Sequence, residues 1–146
     1  RGSGGVRVGP FGNQDFKVEI GGGIEGAFSE VSGLDSTIDV TEYREGGDNT
    51  TPRKLAGLTK HSNIVLRRGL TEDTKLYDWH MAAVRGDIQR KNGSIIVLDR
   101  AGRERVRWNF RAAWPVKWDP PDLNATANEV AVETLELAHE GVERAR

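Results

Sequence analysis

Almost every apolar pattern in this chain repeats at every second residue, and that restricts it to folds built from sheets. Asp15–Ile20 places Phe16, Val18 and Ile20 on one side and Lys17 and Glu19 on the other, the alternation of a half-buried strand. Gly21–Gly23 reads as a tight turn into a second strand, Ile24–Leu34, interrupted at Ser32-Gly33. Ser36–Glu45 alternates again, with Ile38, Val40 and Glu42 against Thr37, Asp39, Thr41 and Tyr43. Asn63–Arg67 forms a strand around Ile64 and Leu66, and Ser94–Leu98 is a short β-branched one. Asp99-Arg100-Ala101-Gly102 supplies the turn residues of a hairpin whose second strand is Glu104–Ala113. Pro115 and Pro120-Pro121 limit how far pairing continues. In the last strand, Glu129–His139, the apolar phase changes from Val130 and Val132 to Leu135 and Leu137, which predicts a bulge there.

The exception is Thr71–Gly86, where Leu76, Trp79 and Ala83 form an apolar stripe at helical spacing, flanked by His80 and Val84. Thr71 is the expected cap, with Glu72 and Asp73 in the first turn and Arg85-Gly86 at the end. The stripe is expected to pack on a sheet. The sum is a mainly β protein: about seven strands and one helix, arranged as two packed β-sheets in a sandwich or barrel. A single domain is expected over 15–146, behind a flexible or partner-ordered arm over 1–14 that is rich in Gly, Ser and Pro. Gly46–Leu58 loses the alternation and reads as a long inter-strand loop, and long ordered loops are commonly functional.

Nothing in the chain assembles into a catalytic site. Cysteine is absent, which removes disulfides, thiolate nucleophiles and cysteine-based zinc sites. His61, His80 and His139 show no metal-ligand spacing. Asp35, Asp39, Glu42 and Glu45 lack the pattern of a calcium loop and read as solvated strand faces. Gly21–Gly23 opens no helix that could cradle a phosphate. The net charge of −1 argues against a general nucleic-acid binder. No apolar run approaches the ~20 residues of a membrane span, so no insertion by the monomer is expected. The expectation is therefore a non-enzyme without cofactor or metal. A bent open sheet leaves unpaired edges, which vanish if copies join head to tail around an axis. The alternative from another class is a carbohydrate- or ligand-binding sandwich, with Trp114 and Trp118 as an exposed stacking platform.

Several blocks occur together and in order: DFKVEI (Asp15–Ile20), FSEVSGL (Phe28–Leu34), YREGGDN (Tyr43–Asn49), PRKLAGLT (Pro52–Thr59), NIVLRRGLTEDTKLYDW (Asn63–Trp79) and NGSIIVL (Asn92–Leu98). Val106–Gly141, with Trp108, Trp114, Trp118 and an Asp-Pro-Pro-Asp break, completes the set. In these blocks the chain resembles the inner tail-tube proteins of contractile phage tails and related contractile injection systems (tailocins, extracellular and cytoplasmic injection particles). They are similar to the tube proteins of type VI secretion.

The resemblance implies hexameric rings whose strands line a ring-spanning β-barrel, stacked into a tube inside a contractile sheath. It also implies a loop, Glu45–Thr59, that reaches an adjacent subunit, with Arg44, Glu45, Asp48, Arg53, Lys54, Leu55 and Leu58 as inter-subunit contacts. Implied partners are further copies of the chain, a sheath protein, baseplate and tape-measure proteins, and DNA or protein cargo in the lumen. Assembly would occur in the bacterial cytoplasm, and the product would sit within a phage tail or injection particle. A tube-terminating or baseplate-hub variant of the same fold is the sibling alternative.

Overall fold

The computed structural model describes residues 16–44, 46, 51–123 and 131–146. The expected arm, Glu45, Asp48 and Val130 lie outside the described residues. The strands are β1 (Phe16–Ile20), β2 (Ile24–Phe28), β3 (Glu30–Ser32), β4 (Ser36–Tyr43), β5 (Arg53–His61), β6 (Ile64–Gly69), β7 (Lys91–Leu98), β8 (Glu104–Asp119), β9 (Val132–Ala138) and β10 (Gly141–Arg144). One helix, α1 (Lys75–Val84), lies between β6 and β7.

All pairings are antiparallel, in the order β2-β1-β7-β8-β9-β6-β3, with β10 also on β8 and β4-β5 as a separate pair. β8 runs for sixteen residues and serves two sheets. Its first part pairs with β7 and β10, and from Trp114 to Asp119 it pairs with β9. Between the parts, Ala112 takes a φ of 52°, and its amide donates to Asn92 Oδ1 at 2.9 Å. On the other side of the molecule, β2 and β3 are separated by Ser29 alone, whose amide donates to the Arg67 carbonyl at 2.9 Å. One run of chain thus pairs with β1 at its start and β6 at its end. The two sheets are joined on both sides, and Val18, Ile20, Phe28, Ile64, Leu66, Ile95, Phe110, Ala113, Leu135 and Leu137 fill the space between them.

The structure corrects four expectations. Pro115 does not end β8, because Val116 forms a bulge between the pairs Pro115↔Leu137 and Lys117↔Glu136. That bulge lies in β8, while β9 holds an unbroken register with β6. The apparent phase change in β9 has another cause. Glu133, Leu135 and Leu137 all point inward, Val132 is 42% exposed, and the buried carboxylate is matched by Arg68. The segment read as a loop becomes strand from Arg53 onward, and β10 adds a strand beyond His139.

Fourthly, the helix starts later than expected. Thr71 Oγ1 accepts the Asp73 amide and Asp73 Oδ1 accepts the Lys75 amide, so these groups shape a turn before the helix rather than cap it. Thr74 occupies the N-cap position. Gly86, at φ 97°, ends the helix, with its amide on the Ala83 carbonyl at 3.0 Å. Leu76 and Trp79 enter the core, Ala83 is half-buried and Val84 is exposed.

The Arg68–Glu133 pair is the one ionic interaction inside this core among the described residues. Arg68 Nε stands 2.7 Å from Glu133 Oε1, Trp118 Nε1 donates to Oε2 at 3.3 Å, and the guanidinium lies 4.9 Å from the Phe28 ring centroid. Removing one partner strands a buried charge, so Glu133→Ala should destabilise the unassembled protein by about 3–5 kcal/mol. Replacing both by Arg68→Met and Glu133→Leu should be neutral or stabilising. Urea unfolding of the three proteins checks this ordering.

Candidate assembly surfaces

The β4–β5 hairpin buries almost nothing. Every residue of β4, and β5 up to Lys60, is exposed. Cross-strand partners share a face, so Ile38, Val40 and Glu42 lie with Thr59, Ala56 and Lys54, while Thr41 and Tyr43 lie with Leu55 and Arg53. Between Ile38 and Val40 the register shifts, setting Gly57 and Leu58 opposite Asp39. Both faces carry large apolar groups in the open: Ile38 is 57% exposed, Val40 62%, Tyr43 47%, Leu55 47% and Leu58 75%. Single exposed apolar residues are ordinary on a surface, but a contiguous set marks an interaction site.

The root of the hairpin is held polar group by polar group. Ser62 Oγ donates to Asp35 Oδ2 at 2.7 Å, tying the outgoing to the incoming chain. The Gly141 amide donates to His139 Nδ1 at 3.1 Å, which leaves the imidazole proton on Nε2, 2.8 Å from the Ser62 carbonyl. The His61 ring lies 5.4 Å from that of His139. At Gly33, φ is 85° and any Cβ would collide with the Asn63 carbonyl, so only glycine lets the chain enter here.

A second surface is the uncovered face of the sheet β2-β1-β7-β8-β10. The registers set Glu25, Glu19, Ser94, Asn109 and Glu143 in one row across five strands. The neighbouring row holds Ala27, Lys17, Ile96 and Arg107. Several charges of this face are paired. Lys17 Nζ lies 3.2 Å from Glu19 and 3.0 Å from Glu25, and the Arg107 guanidinium lies 2.8 Å from Glu104 and 3.8 Å from Glu19. These contacts hold the Glu104 carboxyl below the ordinary range, chiefly through its hydrogen bond from Arg107, and raise Lys17 through the hydrogen bonds it donates to Glu25 and Glu19. Alternation sets Lys17 and Glu19 on the solvent side of their strand, whereas Ile96 is buried at 2% exposure. That the two rows share one face follows only from the strand order.

Of the residues expected at inter-subunit contacts, Arg44, Arg53, Lys54, Leu55 and Leu58 all lie exposed on or beside the hairpin. Glu45 and Asp48 are outside the described residues. Trp114 and Trp118 form no open platform: both are half-buried, Trp118 against Tyr77 at 4.7 Å between centroids and Trp114 beneath Arg90. His80 Nδ1 contacts the Pro115 carbonyl at 3.1 Å. Among the described residues no three His, Asp or Glu side chains are placed to hold a metal ion.

The sandwich thus offers two open surfaces, an apolar hairpin and a sheet face with paired charges, of the kind that marks an interaction site. The chain belongs to the T4-like virus tail tube protein gp19 family, whose profile matches residues 12–143. It is similar to a chain of the PVC extracellular contractile injection system sheath-tube complex in the extended state, at 31% identity over 93% of this chain and 91% of that one, with a TM-score of 0.80. A chain of the anti-feeding prophage baseplate, 6-fold symmetrised, is 29% identical over 94% and 96%, with a TM-score of 0.80. A chain of the anti-feeding prophage tube-terminating cap is 29% identical over 98% and 95%, with a TM-score of 0.75. No curated protein matches. The chain is thus a tail tube protein of the contractile injection-system type.

Two outcomes follow from these surfaces. His139→Phe keeps a ring against His61 but loses both bonds at the hairpin root. It should speed amide exchange in β4 and β5 about fivefold, the equivalent of roughly 1 kcal/mol, while Ile64, Leu66 and Leu137 keep their protection. The depressed Glu104 carboxyl contributes stability that is fully present above its unfolded value of about 4.3 and is lost as pH falls through the folded value. Arg107→Ala should abolish that acid-side dependence, read by thermal unfolding between about pH 2 and 6.

Proposed function

We propose that the chain forms closed six-membered rings that stack into the hollow inner tube of a contractile particle, with β4–β5 as the arm that grips an adjacent copy. The observation that carries this reading is the hairpin, exposed on both faces and apolar on both. In the assembly Leu55 and Leu58 supply the buried contact, and Arg44, Arg53 and Lys54, with Glu45 and Asp48 beyond the described residues, pair with charges of the neighbour. At about 25 cal/mol per Å², burying such side chains yields roughly 1.5–3 kcal/mol each, and a ring repeats the gain at every junction.

The tube then lies within a sheath, grows from a baseplate over a tape-measure protein and conducts DNA or protein cargo when contraction drives it through an envelope. Its role is mechanical and needs no catalytic group. Assembly takes place in the bacterial cytoplasm. The identity shared with a tube-terminating cap favours a second reading, in which the chain closes one ring and stops the stack.

Negative-stain electron microscopy across a concentration series tests both. Hollow filaments of uniform width support the tube subunit, single rings the terminator, and a persistent monomer overturns spontaneous ring formation. Leu55→Glu with Leu58→Glu should retain the melting temperature of the monomer and abolish filaments. Filaments of normal length from the double variant would remove the hairpin from the junction.

A further inference from the structure

The chain has three histidines, and two of them meet at the root of the hairpin. His61 ends β5 and His139 follows β9, with ring centroids 5.4 Å apart and planes inclined at 52°. The bonds of His139 fix its charge state. Nδ1 accepts the Gly141 amide at 3.1 Å and so carries no proton, while Nε2 donates to the Ser62 carbonyl at 2.8 Å. A further proton on Nδ1 would set one N–H against another. His61 offers no relief, because its Nδ1 is buried without a hydrogen-bond partner, and the N–H of an imidazolium there would go unanswered. His80, on α1, is the contrast. Its Nδ1 faces the Pro115 carbonyl at 3.1 Å, so that nitrogen donates, and a proton added at Nε2 leaves the bond intact.

The charged groups around the joint do not invite a proton. On β8 the Arg111 guanidinium packs on Gly141, which puts a fixed positive charge beside the amide that His139 receives. The carboxylates have other partners. Asp35 takes the Ser62 hydroxyl, and Glu136 of β9 takes the Asn63 side-chain amide at 2.8 Å. Asp39 of β4 pairs with Lys60 of β5 at 3.0 Å, and Glu140 lies 3.9 Å from Arg90. Two imidazolium rings at the spacing of His61 and His139 would also repel each other.

We propose that His139, with His61 beside it, is a pH-sensitive clasp on the β4–β5 hairpin, closed while both rings are neutral and released when they take up protons. A free histidine titrates at about 6.5. The open joint binds protons that the closed joint excludes, so protection of the hairpin is complete above that range and is lost as pH falls through it. Carboxylates ordinarily titrate at about 4, so the window from about pH 7.5 to 5.5 belongs to the histidines. The clasp is a property of the single chain. Its consequence for assembly, an arm held rigid at neutral pH and loosened in mild acid, rests on the ring reading above.

Amide exchange tests the clasp, measured on the full chain below its assembly concentration and corrected for the intrinsic effect of pH. Going from about pH 7.5 to 5.5 should lower the protection of β4 and β5 about fivefold, the loss expected for one such bond, and leave Ile64, Leu66 and Leu137 unchanged. His139→Phe should show the lower protection at both pH values, and His80→Gln should keep the full response. Nitrogen NMR of the imidazoles adds a readout that a histidine serving only to pack would not give. His139 should carry its proton on Nε2 at neutral pH, and its titration should coincide with the loss of protection. Equal protection of the wild-type hairpin at the two pH values, or a response of full size that survives in His139→Phe, overturns the clasp. Absence of rings and filaments at neutral pH, with the exchange response intact, overturns the ring reading alone.

Discussion

β8 belongs to two sheets, and the rest of the molecule depends on the corner it turns at Ala112. A left-handed alanine costs about 1–2 kcal/mol, and its surroundings offset this locally. Asn92 accepts the Ala112 amide, and Ala113 is fully buried one residue later. The bulge at Val116 completes the bend, letting Pro115 stay in the strand without having to donate to β9. Because one strand makes the turn, the two sheets cannot slide apart. Each can then use its outer surface for something other than holding the fold together.

The hairpin inverts that economy. A two-stranded hairpin is marginal in water, and ordering its backbone costs of order 1–2 kcal/mol per residue. Here neither face is covered, so cross-strand bonds, the Asp39–Lys60 pair at 3.0 Å and the polar clasp at its root are what hold its shape. Such an element makes thermodynamic sense as one half of an interface. Preorganisation by the root lowers the ordering cost at the moment of contact, which is how a rigid arm gains affinity without new atoms.

Alternation made the sheets legible before any coordinates, because a buried face and a solvent face impose period two on every long strand. It failed where a charge stood in for an apolar side chain. Glu133 occupies an inward position of β9, and without its distant partner Arg68 the pattern looks like a change of phase. It failed again in β5, where exposure on both sides removes the contrast that alternation depends on. The late helix start has a local cause, since Thr71 and Asp73 can satisfy backbone amides in a turn as readily as at a cap. The family blocks singled out Leu55 and Leu58, which the structure leaves exposed, but said nothing of the polar sheet face. That face is a product of strand order, which brings residues 17–25, 94, 107–109 and 143 together from four separate parts of the chain.

The charges on that face suit a conduit better than a binding groove. Lone charges would attract any polymer of opposite sign, and apolar groups would adsorb partly unfolded protein. Lys17 shared between two glutamates, and Arg107 between Glu104 and Glu19, keep the surface hydrated while shortening the reach of its field. The raised Lys17 and the lowered Glu104 both stay ionised across the neutral range, so modest changes of pH leave these two groups charged. In the proposed ring the arrangement repeats in every copy. A surface of locally paired charge has a short-ranged field, so its attraction for a long charged chain is small.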